Sequence, residues 1–200
     1  KRNLAYRINS HMATLNDIRA NDQNQIRSVD WYRKQVQSLP NTFSSPAGVM
    51  RSNLGERDAR PEVGSMYLYL YDPKTKAKLP YYDTFPLVLP FEDAKGGFYG
   101  LNLHYLPYSL RFELLEQLKR TKNTRSINQD TVFQLSWNLL KSASRFPAVQ
   151  PTIKRYLYSQ IRSRLLKINP QDWSTAAALP VEQFEGASKQ TVFNRSRKAI

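Results

Sequence analysis

A chain of 200 residues with no cysteine and only two histidines, His11 and His104, cannot form disulfides, a thiolate zinc site, a cysteine nucleophile or a histidine-rich metal centre. Its 30 Lys and Arg against 16 Asp and Glu leave a net charge of +14 and a pI of about 10.0, which points to a polyanionic partner: nucleic acid, an acidic protein neighbour or an acidic membrane surface. No apolar run approaches the ~20 residues that span a bilayer, and no signal-peptide pattern opens the chain at Lys1, so a membrane is the weakest of the three.

Residues 1–39 read as a polar helical arm. Ile18, Ile26, Val29 and Val36 recur at heptad-like steps, with Trp31 and Tyr32 added. The stretch is too polar to stand alone, so it should lie on a partner or on its own domain. Residues 40–62, punctuated by Pro40, Pro46, Gly48, Gly55 and Pro61, read as a linker.

Residues 63–106 change to strand periodicity. Met66, Leu68 and Leu70 alternate with Tyr67, Tyr69 and Tyr71, so both faces are apolar or aromatic. Asp72-Pro73-Lys74-Thr75-Lys76 is turn chemistry. A second apolar run spans 85–91, and its prolines suit an edge or irregular strand. Asp93-Ala94-Lys95-Gly96-Gly97 reads as a hairpin tip, and a third strand runs from Phe98 to Tyr105. The expectation is an α+β fold: a small antiparallel meander or barrel over about 64–106, then an α-helical region over 107–200, with 63–200 forming one domain.

In that region a helix should begin at Pro107 and run to Leu118, with Leu110, Leu114, Leu115 and Leu118 on one face. A second is expected from Thr131 to Phe146, stopped by Pro147. A third should run from about Thr152 to Ile168, carrying Ile153, Leu157, Ile161, Leu165 and Ile168 on one stripe. A short fourth covers 171–179 after Pro170, and a fifth is expected from Ala187 to the end.

Residues 111–200 hold +10 of the net charge. Between Lys119 and Lys167 eleven basic side chains face one acid, Asp130. A solvated helix surface mixes signs, because opposite charges one turn apart support the helix. A stretch nearly free of acids gives up that support and suggests an external anion. The candidate nucleic-acid contacts are Lys119, Arg120, Lys122, Arg125, Lys154, Arg155, Tyr158, Arg162, Arg164 and Lys167. On the expected third helix Arg155, Tyr158 and Arg162 share a sector of roughly 60°, an arrangement suited to clamping phosphate beside a stacking ring. The alternative is a tyrosine at the core edge between two solvated arginines. No zinc finger, zipper, RNA-recognition signature or helix-turn-helix is present, so backbone contact without sequence readout is expected.

Catalysis has little to stand on. Gly96-Gly97 lacks the Lys-Ser/Thr of a phosphate loop, and His104 suits a hydrogen-bonded structural role. Carboxylates could still hold magnesium, and Asp83 with Asp93-Ala94-Lys95 superficially matches the acidic pair and lysine of a metal-dependent nuclease. No cofactor and no small-molecule substrate is expected.

Several segments together carry a resemblance. They are Tyr71-Asp72-Pro73-Lys74-Thr75-Lys76, Leu79-Pro80-Tyr81-Tyr82-Asp83, Phe85-Pro86-Leu87, Gly100-Leu101-Asn102-Leu103-His104-Tyr105-Leu106-Pro107 and Leu110-Arg111. Further along come Ser144-Arg145-Phe146, Arg162-Ser163-Arg164 and Leu179-Pro180-Val181-Glu182-Gln183-Phe184. Over roughly 64–190 the chain resembles the DNA end protector family of T4-type tailed phages (myoviruses). The resemblance implies a virion protein, assembled in the host cytoplasm, that binds the genome end near the head–tail junction and shields it from exonuclease. It brings no catalytic residues. The other reading is a structural tail, baseplate or neck protein whose basic surface meets acidic subunits, with phage structural proteins as partners in either case.

Overall fold

The computed structural model describes residues 13–22, 27–122 and 147–200, with backbone alone at 119–122 and 147–148. The N-terminal segment is pinned to the body. Helices α1 (Leu15–Asp22) and α2 (Val29–Gln37) send Leu15, Ile18, Tyr32 and Val36 into the main hydrophobic core. Ser28 caps α2 by accepting from the Trp31 amide. Arg19 grips Asp172 through one edge of its guanidinium, Nε to Oδ1 at 2.9 Å and Nη2 to Oδ2 at 2.5 Å. A planar fork on a buried carboxylate fixes orientation as well as distance.

Residues 40–62, which read as a linker, contain secondary structure. Helix α3 (Pro46–Arg51) buries Val49, Leu54 is fully buried, and strand β1 (Gly55–Asp58) joins the sheet. The proline and glycine punctuation marks tight connections between these short elements.

Residues 63–106 form the expected meander. Strands β2 (Met66–Leu68), β4 (Leu87–Ala94) and β5 (Gly97–Asn102) are adjacent and antiparallel. The run rich in proline is no edge: β4 is paired on both sides, and the register shifts between Pro90 and Glu92, where proline's missing donor is tolerated. Asp93 lies within β4, opposite Phe98, so the hairpin tip is only Lys95-Gly96, with Gly96 at φ +73°. Beyond Asn102 the third strand gives way to a 3-10 turn, Leu103–Tyr105, which holds His104.

The expected helix over 152–168 is absent. Its residues form strand β6 (Ile153–Leu157), a 3-10 turn (Tyr158–Gln160) and strand β7 (Leu165–Ile168). Strand β6 pairs with β5, and β7 inserts between β1 and β2, giving an open sheet in the order β1-β7-β2-β4-β5-β6 and no closed barrel. A helix here would leave the outer edges of β5 and β2 unpaired, so backbone pairing overrides the helical spacing of the apolar residues. Gly97 permits the close approach of β6, since a Cβ there would meet the Tyr156 carbonyl at 1.8 Å.

Helix α4 (Tyr108–Lys122) starts at the expected proline, helix α5 (Trp173–Ala178) follows Pro170, and helix α6 (Lys189–Lys198) closes the chain. Helices α2, α4 and α5 cover the sheet face that carries Met66, Leu68, Leu87, Leu89 and Leu101, and α6 packs against the 3-10 turn at Leu103–Tyr105. The opposite face carries a second cluster of Tyr67, Tyr69, Tyr71, Val88, Phe98, Tyr156 and Leu165. The alternation therefore places Tyr67, Tyr69 and Tyr71 in one layer and Met66 and Leu68 in the other, while Leu70 is exposed. The expected helix over 131–146 lies outside the described residues. No helix among them is long and apolar enough to cross a membrane.

Candidate nucleic-acid interface

The tyrosine layer continues into a pocket. Strands β3 (Tyr82–Asp83) and β8 (Phe184–Glu185) form a separate two-stranded sheet. The chain over 71–83 stands off from β6, and the space between has a volume of about 510 Å³. Its walls include Lys74, Leu79, Tyr81, Tyr82, Tyr105, Lys154 and Tyr156.

Lys154 is the least exposed cation of this wall. In register with Gly100 on β5, it rises from the same sheet face as Phe98 and Tyr156. Its Nζ donates to the Pro151 carbonyl at 2.8 Å and lies 4.1 Å from the centre of the Tyr105 ring. Among the described residues it meets no carboxylate. Burial alone acts on its amine, pushing it down from 10.5 to about 8. The aromatic face offsets part of that desolvation.

The pocket's one carboxylate is already committed. Asp83 is buried and accepts from the amides of Phe85 at 3.0 Å and Gln183 at 3.4 Å and from Asn102 Nδ2 at 3.1 Å, while His104 Nδ1 lies 2.9 Å away. This network joins β3, β5 and the segment leading to β8. It makes His104 a hydrogen-bonded structural residue. It also dismantles the proposed nuclease pair: Asp83 belongs to the small sheet with no free lone pair turned outward, whereas Asp93 is exposed on β4. Among the described residues no group of three or more His, Cys, Asp or Glu is arranged to hold a metal ion.

A second buried charge ties α4 to the turn that holds His104. Arg111 is fully buried on α4 and donates to the carbonyls of Leu106 at 2.7 Å, Ala177 at 3.1 Å and His104 at 3.3 Å, and to the buried carboxylate of Glu182. Burial by itself would raise the Glu182 carboxyl; Arg111 first, then His104 and Lys189, outweigh it and hold the group at about 2. Helix α6 is tied in by Ser196, whose Oγ donates to the Tyr105 carbonyl at 2.7 Å, and by Arg195, 5.1 Å from the Tyr81 ring.

The candidate contacts named from sequence do not share a helix face, because the helix that would align them is two strands and a turn. Lys154 and Arg155 lie on β6 and line the pocket. Arg155 is exposed and donates to the Lys95 carbonyl at 3.0 Å. Tyr158 is exposed beside Phe98, ring centres 5.9 Å apart. Arg162 reaches Asp72 at 3.3 Å, and Lys167 reaches Glu62 at 2.5 Å and Asp58 at 3.9 Å, so both carry their own counter-charges. Arg164 is exposed and donates to the Arg57 carbonyl at 3.5 Å. Lys167 stands on β7, which β2, β4 and β5 separate from β6. Lys119, Arg120 and Lys122 belong to the last turns of α4, and Arg125 lies outside the described residues.

The sequence reading missed Lys74, Leu79, Tyr81, Tyr82 and Tyr105 as site residues. Their signal was the alternation of Lys74, Lys76 and Lys78 ahead of a Tyr-Tyr pair, a basic and aromatic mixture in a turn. A family model described as phage T4 terminal DNA protecting protein matches residues 1–198. No curated protein and no solved structure matches the chain.

Proposed function

The chain belongs to the family of phage T4 terminal DNA protecting proteins, and from that premise we propose that it is a virion protein that binds the end of the phage genome and shields it from exonuclease without catalysing any reaction on it. The match over nearly the whole chain carries this reading. The charge of +14 supports it, as do the cations on and around β6, of which Lys74 and Lys154 have no carboxylate partner among the described residues. Lysines and arginines reach phosphate oxygens whatever the base sequence, so contact to the backbone without sequence preference follows. A place near the head–tail junction, beside other phage structural proteins, fits a protein that must meet the genome end.

The surface that would contact DNA is reassigned from a basic helix to the β6 edge of the sheet and the turn at 73–78. Binding to a linear duplex and to a closed circle of equal length, compared across a salt series, tests the proposal. Tight, salt-dependent binding that prefers the linear form supports it. Equal binding to both leaves only a general basic contact. Absence of binding near physiological salt, together with self-assembly into rings, would replace it with a purely structural role in the neck, tail or baseplate.

A further inference from the structure

The pocket between the 71–83 segment and β6 is too small for a duplex and large enough for one nucleotide. Its volume of about 510 Å³ lies in the range typical of small-molecule sites, ~300–1,000 Å³. Its walls supply the two things a nucleotide offers contacts for. One is a cation without a carboxylate, Lys154, held against an aromatic face at the inner wall. The other is a stacking surface. Tyr82 is partly exposed and meets no other aromatic ring among the described residues, and Leu79 beside it is 40% exposed. Tyr71, Tyr105 and Tyr156 are buried and packed ring against ring, so they form the floor and leave Tyr82 as the free platform.

A half-buried ammonium with no counter-charge is an unfavourable arrangement on its own, and an anion set against it would relieve it. Every base has a π-face, so a tyrosine platform with a lysine accepts any nucleotide. Such a pocket cannot be reached by a base within a stacked duplex. A terminal pair has one stacking neighbour instead of two, so its nucleotide is the easiest to draw out. A closed circle offers none.

We infer that the pocket seats the last nucleotide of a DNA end, separated from its complement, with its phosphate against Lys154 and its base against Tyr82. The inference rests on the end-binding reading above and adds where, and in what form, the end is held.

The test uses the full chain and linear duplexes carrying 2-aminopurine at the terminal position or in the interior, with a closed circle as reference. In the wild-type protein the terminal probe should respond on binding and the interior probe should not. Lys154→Met and Tyr82→Ala should each weaken binding to linear DNA by about tenfold or more and abolish the terminal response, while binding to the circle weakens far less. Lys154→Arg should retain most of both. Tyr82 and Lys74 are surface positions, so Tyr82→Ala and Lys74→Ala keep the test valid if Lys154→Met fails to fold. Wild-type preference for linear DNA with variants that bind like wild type, or probes that respond alike at both positions, would overturn the pocket while leaving end binding standing. No preference for linear DNA in the wild type would remove the end-binding reading and the pocket with it.

Discussion

Lys154 holds its ammonium 4.1 Å from the centre of the Tyr105 ring, with the Pro151 carbonyl as its only hydrogen-bond acceptor among the described residues. In a chain with so many cations this one is distinguished by surroundings rather than by charge, and its surroundings can be read out.

End binding should depend on pH through this group. Its amine titrates at about 8 in the folded protein, and a phosphate set against it would raise that value. Binding therefore takes up a proton above about pH 8. Affinity for a linear duplex should be level below that point and fall as pH rises through it, by up to about tenfold per unit. Lys154→Arg, which does not titrate in this range, should flatten the profile. Equilibrium titrations at constant ionic strength measure both.

The same group makes a stability prediction of opposite sense. Because the folded amine lies near 8 and the reference value is 10.5, the unfolded chain binds more protons between those values, so stability rises with pH across that window. Below about pH 8 the cost of keeping Lys154 charged is fully present, at most about 3 kcal/mol and less where solvent screens it. Lys154→Met keeps the aliphatic stem and removes the charge. Its Tm near neutral pH should be no lower than wild type, even as end binding is lost. A lysine whose role was only structural would show the reverse.

Arg111 and Glu182 should limit acid stability. Glu182 is held at about 2 against an ordinary 4.5, so it contributes about 3 kcal/mol that is present above the unfolded value and lost as pH falls towards the folded one. Urea midpoints should decline over that interval in the wild type and less steeply in Glu182→Gln. Arg111→Met would strand the carboxylate and should cost about 3–5 kcal/mol. The same change at exposed Arg164 should cost at most about 0.5 kcal/mol.

The salt dependence of binding should rank the basic residues by their existing partners. Alanine at Lys74, Lys154 or Arg155 should each reduce the salt slope by about 1. Arg162→Ala and Lys167→Ala should change it less, because Asp72 in one case and Glu62 with Asp58 in the other already neutralise them. A series of single variants titrated between low and moderate salt gives the ranking.

The legible parts of the fold were those with one dominant period. Alternation along 66–71 yields β2 and both its layers, and Pro107 and Pro170 mark the starts of α4 and of the turn into α5. The stretch 152–168 misleads because Ile153, Leu157, Ile161, Leu165 and Ile168 fit a helical stripe as well as two short strands. The deciding factor is the unpaired edges of β5 and β2, which lie some 50 to 100 residues away in sequence. The same dependence hid β1, whose only partner among the described residues is β7. Charge concentration could be read directly, and it led to Lys154 and Arg155. The pocket could not, since it closes only when residues 153–157 become a strand facing Tyr81 and Tyr82.

The most direct measurement is protection of a linear duplex from a double-strand exonuclease, set beside digestion of the same DNA by an endonuclease. End binding predicts that exonuclease is blocked at a protein-to-DNA ratio set by the two ends and independent of DNA length, while endonuclease cuts the interior freely. Protection that grows with DNA length, or that shields equally against both enzymes, would contradict the account.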